Sequence, residues 1–221
     1  MRPILPLVLA TALMLSGPAA ALGPVPFGPN LAANGWDELT FRGRTPADFT
    51  AEGAGGLRVE TQTGVSVLWR GMPDAFGPAT TATWRWRVDA GVPATDLGAR
   101  GGDDRSLALY FVFADDPGSV REMPGTLRAA MRRGRALIYV WGGNAAPGIA
   151  IASPSMLGRG QMVIRQTSTT GGWQNEAADL RADFRRAFGR EPGPLIGIGV
   201  SADSDDTGTT SDARIEDLTL R

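Results

Sequence analysis

The chain has 221 residues with balanced charge (22 Lys plus Arg against 23 Asp plus Glu, formal net charge −1), no cysteine, no histidine and, by inspection, no lysine. This excludes disulfides, thiolate metal sites, cysteine nucleophiles, histidine-dependent triads and metal sites, and Schiff-base lysines. Balanced charge without an extended basic stripe also argues against a nucleic-acid partner, the one basic cluster (Arg128, Arg132, Arg133, Arg135) reading as a solvated helix face.

Residues 1–21 read as a secretory signal peptide: Arg2, the apolar run Ile4 to Leu15, then small residues in which Ala19 and Ala21 fit an A-x-A cleavage site. The apolar run is too short to span a hydrocarbon core and Gly17-Pro18 follows it. Cleavage near Ala21 and a periplasmic or secreted mature chain are expected, with no transmembrane segment thereafter. Residues 22–35 are rich in Pro, Gly and Asn and predict an extended lead-in, so the folded domain is expected over 36–221.

From Trp36 onward, short apolar-alternating segments separated by turn residues predict strands at 36–41, 57–61, 65–70, 81–88, 107–113, 136–141, 161–167, 195–201 and 213–220. That spacing points to an all-β fold, a jelly-roll-like β-sandwich with one or two short helices inserted. In 81–88, Trp84, Trp86 and Val88 share one face and Arg85 and Arg87 the other, so the tryptophans are expected in the core. Segment 107–113 is apolar on both faces, as in a central strand. One helix is predicted from Leu180 to Phe188, with Asp179 as N-cap and Gly189 as stop; the other covers Leu127 to Arg133 before Gly134.

Two acidic loops adjoin apolar strands: Gly102-Asp103-Asp104-Arg105, and Asp203-Ser204-Asp205-Asp206-Thr207-Gly208. Loops of a sandwich cluster at its two ends, and these two are expected at the same end. Asp203, Asp205 and Thr207 match the opening of a calcium loop, which makes calcium the candidate cofactor; Arg214 in place of the bidentate glutamate and the flanking strands exclude an EF-hand. The same residue types also build Asx turns without metal. Three carboxylates in four residues are expected to raise at least one pKa in the unliganded loop.

The ligand-binding candidates are Asp103, Asp104, Arg105 and Tyr110 with two aromatics, Trp141 and Trp173, whose neighbouring Gly-rich loops predict exposure suited to stacking on a sugar ring. If the chain is an enzyme, only carboxylates remain for acid–base work, and Glu176 and Asp104 are the candidate pair for glycoside hydrolysis. Tyr110 or Tyr139 beside an arginine is the corresponding lyase arrangement.

Taken in order, Trp84-Arg85-Trp86-Arg87-Val88, Gly102-Asp103-Asp104 leading to Tyr110 and Phe113, Tyr139-Val140-Trp141, Trp173 with Glu176, Asp183-Phe184 leading to Phe188-Gly189, and the loop 203–208 resemble the bacterial exported domain-of-unknown-function family 3047. The resemblance spans Trp36 to Leu220 and implies export and a mostly β fold, with no activity attached. Ala108, Ala178 and Asp179 stand where the family pattern carries Arg, Arg and Asn. The expected function is an exported, non-catalytic domain that binds a saccharide or another polar envelope ligand. The rivals are a carbohydrate-active enzyme, glycosidase or lyase, and a structural envelope protein.

Overall fold

A computed structural model describes residues 23–72, 79–115 and 127–221; the expected leader, residues 1–21, lies outside them. The described strands are β1 (Gly23–Pro24), β2 (Trp36–Thr40), β3 (Asp48–Glu52), β4 (Gly56–Gln62), β5 (Val65–Gly71), β6 (Thr81–Ala90), β7 (Arg105–Ala114), β8 (Gly134–Trp141), β9 (Ala150–Ala152), β10 (Gly160–Gln166), β11 (Gly171–Asp179), β12 (Leu195–Asp203) and β13 (Thr210–Leu220). They form two sheets. One has the order β11-β6-β13-β4-β3 with β1 added on β13, and the other β2-β5-β12-β7-β8-β10-β9. Pairing is antiparallel except between β8 and β10.

Alternation decides what each face does. The inward residues of β6 (Trp84, Trp86, Val88) meet Leu107, Leu109, Phe111 and Phe113 of β7 and Tyr139 and Trp141 of β8 in the space between the sheets. Edge-to-face contacts lock this core, as between Trp86 and Trp141 with centroids 5.8 Å apart. The outward face of the six-stranded sheet is instead a lattice of ion pairs. Arg58 grips Asp212 bidentately at 3.0 and 2.8 Å, Arg214 reaches Glu52 at 3.2 Å, and Arg85 pairs with Glu216.

The seven-stranded sheet differs because its central strand is apolar on both sides. The outward residues Val67, Trp69, Ala108, Tyr110, Val112, Ile138, Val140, Met162 and Ile164 form a second core, and α1 (Leu127–Arg133) lays Leu127 and Ala130 over it. Helix α2 (Leu180–Phe188) closes the first core with Leu180 and Phe184. Its ends follow local chemistry: the Asp179 carboxylate accepts from the Ala182 N–H at 2.8 Å, and Gly189 takes the left-handed C-cap conformation.

The lead-in corrects the sequence expectation. Val25 and Phe27 are 2% and 0% exposed, and the Phe27 ring stacks on Trp36 with centroids 4.9 Å apart. Residues 23–35 therefore belong to the fold, because the proline- and glycine-rich path carries an aromatic that needs burial. Ala108 and Ala178 are both buried, Ala108 on the outer face opposite Ser201 and Ala178 in the inter-sheet core.

Candidate functional site

The outer face of the seven-stranded sheet is incompletely covered, and a cavity of about 650 Å³ remains over it. Strand alternation supplies its aliphatic surface: Leu39, Val65, Val67, Ile138 and Met162. Leu127 and Met131 of α1, Phe41, and Met156 of the β9–β10 connection add to the apolar lining. A volume of this size suits one small ligand.

Into this lining projects a buried polar group. Arg105, at the start of β7, is only 7% exposed. Its Nη2 donates to Tyr110 Oη at 2.6 Å and to Ser201 Oγ at 3.5 Å. Its Nη1 donates to the Asp103 carbonyl at 2.5 Å and to Asp203 Oδ2 at 3.3 Å. Tyr110 Oη and Ser201 Oγ lie 3.2 Å apart. Two atoms of the pair have no protein partner, Arg105 Nε and Asp203 Oδ1. Burial pushes the Asp203 carboxyl up to about 8; Arg105 opposes this, while Asp104, Asp205 and Asp103 add to it. Asp205 is also raised, by burial first and then by Asp206 and Asp104, with Arg44 at 3.0 Å acting against it.

The two acidic loops do meet, and the manner of their meeting assigns Asp104. Its carboxylate is fully buried and accepts from the Asp206 N–H at 3.3 Å, the Thr207 N–H at 2.7 Å and the Thr207 hydroxyl at 2.6 Å. Asp104 thus clamps the 203–208 loop. It does not present a free acid.

The other expected site residues are dispersed. Asp103 lines the cavity and its Oδ2 accepts from Ser155 Oγ at 2.8 Å. Trp141 is 1% exposed, in the inter-sheet core, its indole N–H donating to the Ser168 carbonyl at 2.8 Å, which overturns the exposure expected of it. The glycine beside it in space marks close approach: a Cβ on Gly171 would stand 2.7 Å from Trp141 Cζ2. Trp173 lies on the opposite side of the molecule, across the outward face of the six-stranded sheet, with Arg85 4.5 Å and Arg87 5.7 Å from its ring centroid.

Glu176 points between the sheets at the edge strand β11. Its Oε1 accepts from Trp86 Nε1 at 3.3 Å and Gln166 Nε2 at 3.1 Å, and Arg165 stands 3.6 Å from Oε2. Glu176 and Asp104 belong to separate hydrogen-bonded groups, and neither lines the cavity. They do not form the carboxylate pair expected of a glycosidase. Tyr139 donates to Asp183 Oδ2 at 2.7 Å, and burial followed by that carboxylate raises its pKa, so its phenol is held protonated and is a poor base.

The expected calcium ligands also part company. Asp203 pairs with Arg105, Asp205 with Arg44, and Thr207 binds Asp104. Among the described residues, the carboxylates that converge are Asp104, Asp205 and Asp206, with oxygens within 4.8 Å of one another. The Asp104 oxygens accept from the N–H and O–H donors of the 203–208 loop, which gives this cluster a part in holding the turn. Leu39, Val67, Ile138, Met131, Met156 and Met162 were not singled out from the sequence. Strand or helix periodicity marks all but Met156, which lies in a turn, as core, and only their incomplete coverage makes them a site.

A family model described as protein of unknown function (DUF3047) matches residues 34–219. No curated protein matches the chain. Among solved structures, the chain is similar to the xyloglucanase domain of NopAA from Sinorhizobium fredii, at 7% identity and a TM-score of 0.44, covering 85% of this chain and 92% of that one. It is similar to endoglucanase 3 of Trichoderma harzianum at 10% identity and a TM-score of 0.44, covering 85% and 91%. The K3 adhesin domain of Lys-gingipain from Porphyromonas gingivalis matches at 12% identity and a TM-score of 0.39, covering 91% and 99%. These likenesses concern β architecture and carry no correspondence of residues.

Proposed function

The chain belongs to the DUF3047 family of proteins of unknown function, and we propose that it is an exported, non-catalytic ligand-binding domain whose site is the cavity on the outer face of the seven-stranded sheet. Its ligand carries a hydroxylated, saccharide-like head on an apolar body. The observation that carries this reading is Arg105, 7% exposed and tied to Asp203, Tyr110 and Ser201 beside the aliphatic part of the cavity lining.

A buried Arg–Asp pair contributes little net stability, because desolvation cancels most of the attraction, here far enough to raise the Asp203 carboxyl to about 8. Its placement beside a cavity is better accounted for by a ligand. A hydroxyl both donates to a carboxylate and accepts from a guanidinium, so vicinal hydroxyls complement an Arg–Asp pair. The lining of Leu39, Val67, Ile138 and three methionines favours an aliphatic body, and methionine adapts to irregular shapes. Export rests on the leader-like residues 1–21.

The test is calorimetric titration of the purified protein with decyl glucoside and with tail-free oligosaccharides, beside the cavity-filling variant Val67→Trp. One decyl glucoside per chain, lost in Val67→Trp with the fold retained by circular dichroism, is expected. Equal binding to the plugged variant would remove the cavity from consideration, and hydrolysis of any oligosaccharide would restore the enzymatic rival.

A further inference from the structure

The cavity lining carries charge of both signs. Five arginines contribute to it, Arg42, Arg44, Arg105, Arg128 and Arg132, with four aspartates, Asp103, Asp203, Asp205 and Asp206. Arg44 pairs with Asp205 and Arg105 with Asp203. Among the described residues, Arg42, Arg128 and Arg132 form no ion pair. Arg128 only donates to the Thr40 carbonyl at 3.5 Å, and Arg132 to the Arg128 carbonyl at 3.3 Å. All three side chains belong to exposed residues that nevertheless line the cavity, so they stand where it opens to solvent. They come from two elements, the β2–β3 connection and α1, and converge on one space.

We infer that the ligand head bears an anionic group, a carboxylate of the uronate type, which Arg42, Arg128 and Arg132 receive at the cavity opening; this rests on the cavity being the ligand site. A guanidinium fork matches a carboxylate in two parallel hydrogen bonds, and three forks that form no ion pair among the described residues, set beside apolar side chains, offer charge complementarity to an anion. Of the four lining aspartates, Asp205 pairs with Arg44 and Asp203 with Arg105, which leaves three arginines against Asp103 and Asp206 without an ion pair among the described residues. The site therefore distinguishes an acidic saccharide amphiphile from its neutral counterpart by charge, and both from a bare anion by the apolar lining.

Decyl glucuronide and decyl glucoside differ in that one group, and titration of the full protein with each, below micelle formation, reads the inference directly. The glucuronide is expected to bind at least about tenfold more tightly, the value of one charge-assisted hydrogen bond. The double variant Arg128→Gln/Arg132→Gln, on exposed helix positions, is expected to bring the ratio of glucuronide to glucoside affinity down to about one. Added salt weakens the glucuronide alone. Decanoate, an anionic amphiphile without the sugar, binds more weakly than the glucuronide, and glucuronate without a tail does not bind. Equal affinities for the two glycosides, or a glucuronide preference that survives the arginine substitutions, would overturn anion selection while leaving the cavity reading intact. Failure of every amphiphile, or binding that persists in Val67→Trp, would overturn both.

Discussion

Asp104 and Thr207, 103 residues apart in sequence, are joined twice: Asp104 Oδ2 accepts from the Thr207 N–H at 2.7 Å and from its hydroxyl at 2.6 Å. This contact ties the start of β7 to the loop that follows β12. It sets the position of Asp203, and hence of the partner of Arg105. Removing the carboxylate leaves two part-buried backbone donors without their acceptor. Asp104→Ala is therefore expected to cost about 1–2 kcal/mol in urea unfolding, and Thr207→Val about 1 kcal/mol. An Asp104→Ala protein of unchanged stability would mean that the clamp is incidental.

Asp203 gives the stability a pH signature. Its folded pKa, raised by burial to about 8, lies above the unfolded value of about 3.9, so the ionised form is penalised in the native state. The penalty is absent below the unfolded value, grows between roughly pH 4 and 8, and is full above that. Asp203→Asn, which cannot ionise, is expected to gain on the wild type as pH rises through this window, by at most about 1.4 kcal/mol per pH unit. Denaturant unfolding at a series of pH values measures the difference. Curves that run parallel, or that separate in the wild type's favour, would show that Arg105 holds Asp203 ionised.

Much of the fold was legible because local pattern and tertiary role agree. The Asp179 and Gly189 caps of α2, the two-sided apolarity of β7 and the Trp/Arg alternation of β6 each state their environment within a few residues. The site was legible only as chemistry at strand ends. Asp103, Arg105 and Tyr110 converge with Asp203 as strand-end loops allow, whereas Trp141 and Trp173 depart in opposite directions. For Trp141, neighbouring glycines signal either a loop or a close approach, and only the three-dimensional packing distinguishes them. Burial of Arg105 has no local signature, since arginine is ordinarily solvated and its cover comes from β12 and a loop about 98 positions away. The cavity itself depends on how far α1 extends over the sheet, which no periodicity encodes.

Phe27 was missed for a related reason: a lone aromatic among prolines and glycines has no period, yet it is fully buried against Trp36. Because it fills inter-sheet volume, Phe27→Ala is expected to destabilise the protein by about 3–5 kcal/mol, and Phe27→Leu by less. Thermal unfolding of the two variants checks this. A midpoint within a degree or so of wild type for Phe27→Ala would return residues 23–35 to the status of a loose lead-in.

The Arg105–Asp203 pair separates function from stability. Arg105→Met alone leaves Asp203 buried without the cation that lowers its pKa, so the carboxyl stays protonated to higher pH, and the variant is expected to lose stability against wild type above about pH 8, by at most about 1.4 kcal/mol per pH unit. The cost is smaller at pH 6, where Asp203 holds a proton. The double variant Arg105→Met/Asp203→Leu removes both charges and fills their space with apolar atoms. Tyr110 Oη and Ser201 Oγ, 3.2 Å apart, still satisfy each other. Its stability is therefore expected to equal or exceed wild type, since replacing a buried pair by apolar side chains is commonly neutral or stabilising by about 1–4 kcal/mol. Decyl glucoside affinity in the same protein is expected to fall at least about tenfold, as the groups that hold its hydroxyls are gone. Unfolding and titration of one protein sample decide between the two roles. A stable double variant that binds as well as wild type would make the pair dispensable to both, whereas one that fails to fold would make Arg105 and Asp203 architectural and leave the cavity without its polar anchor.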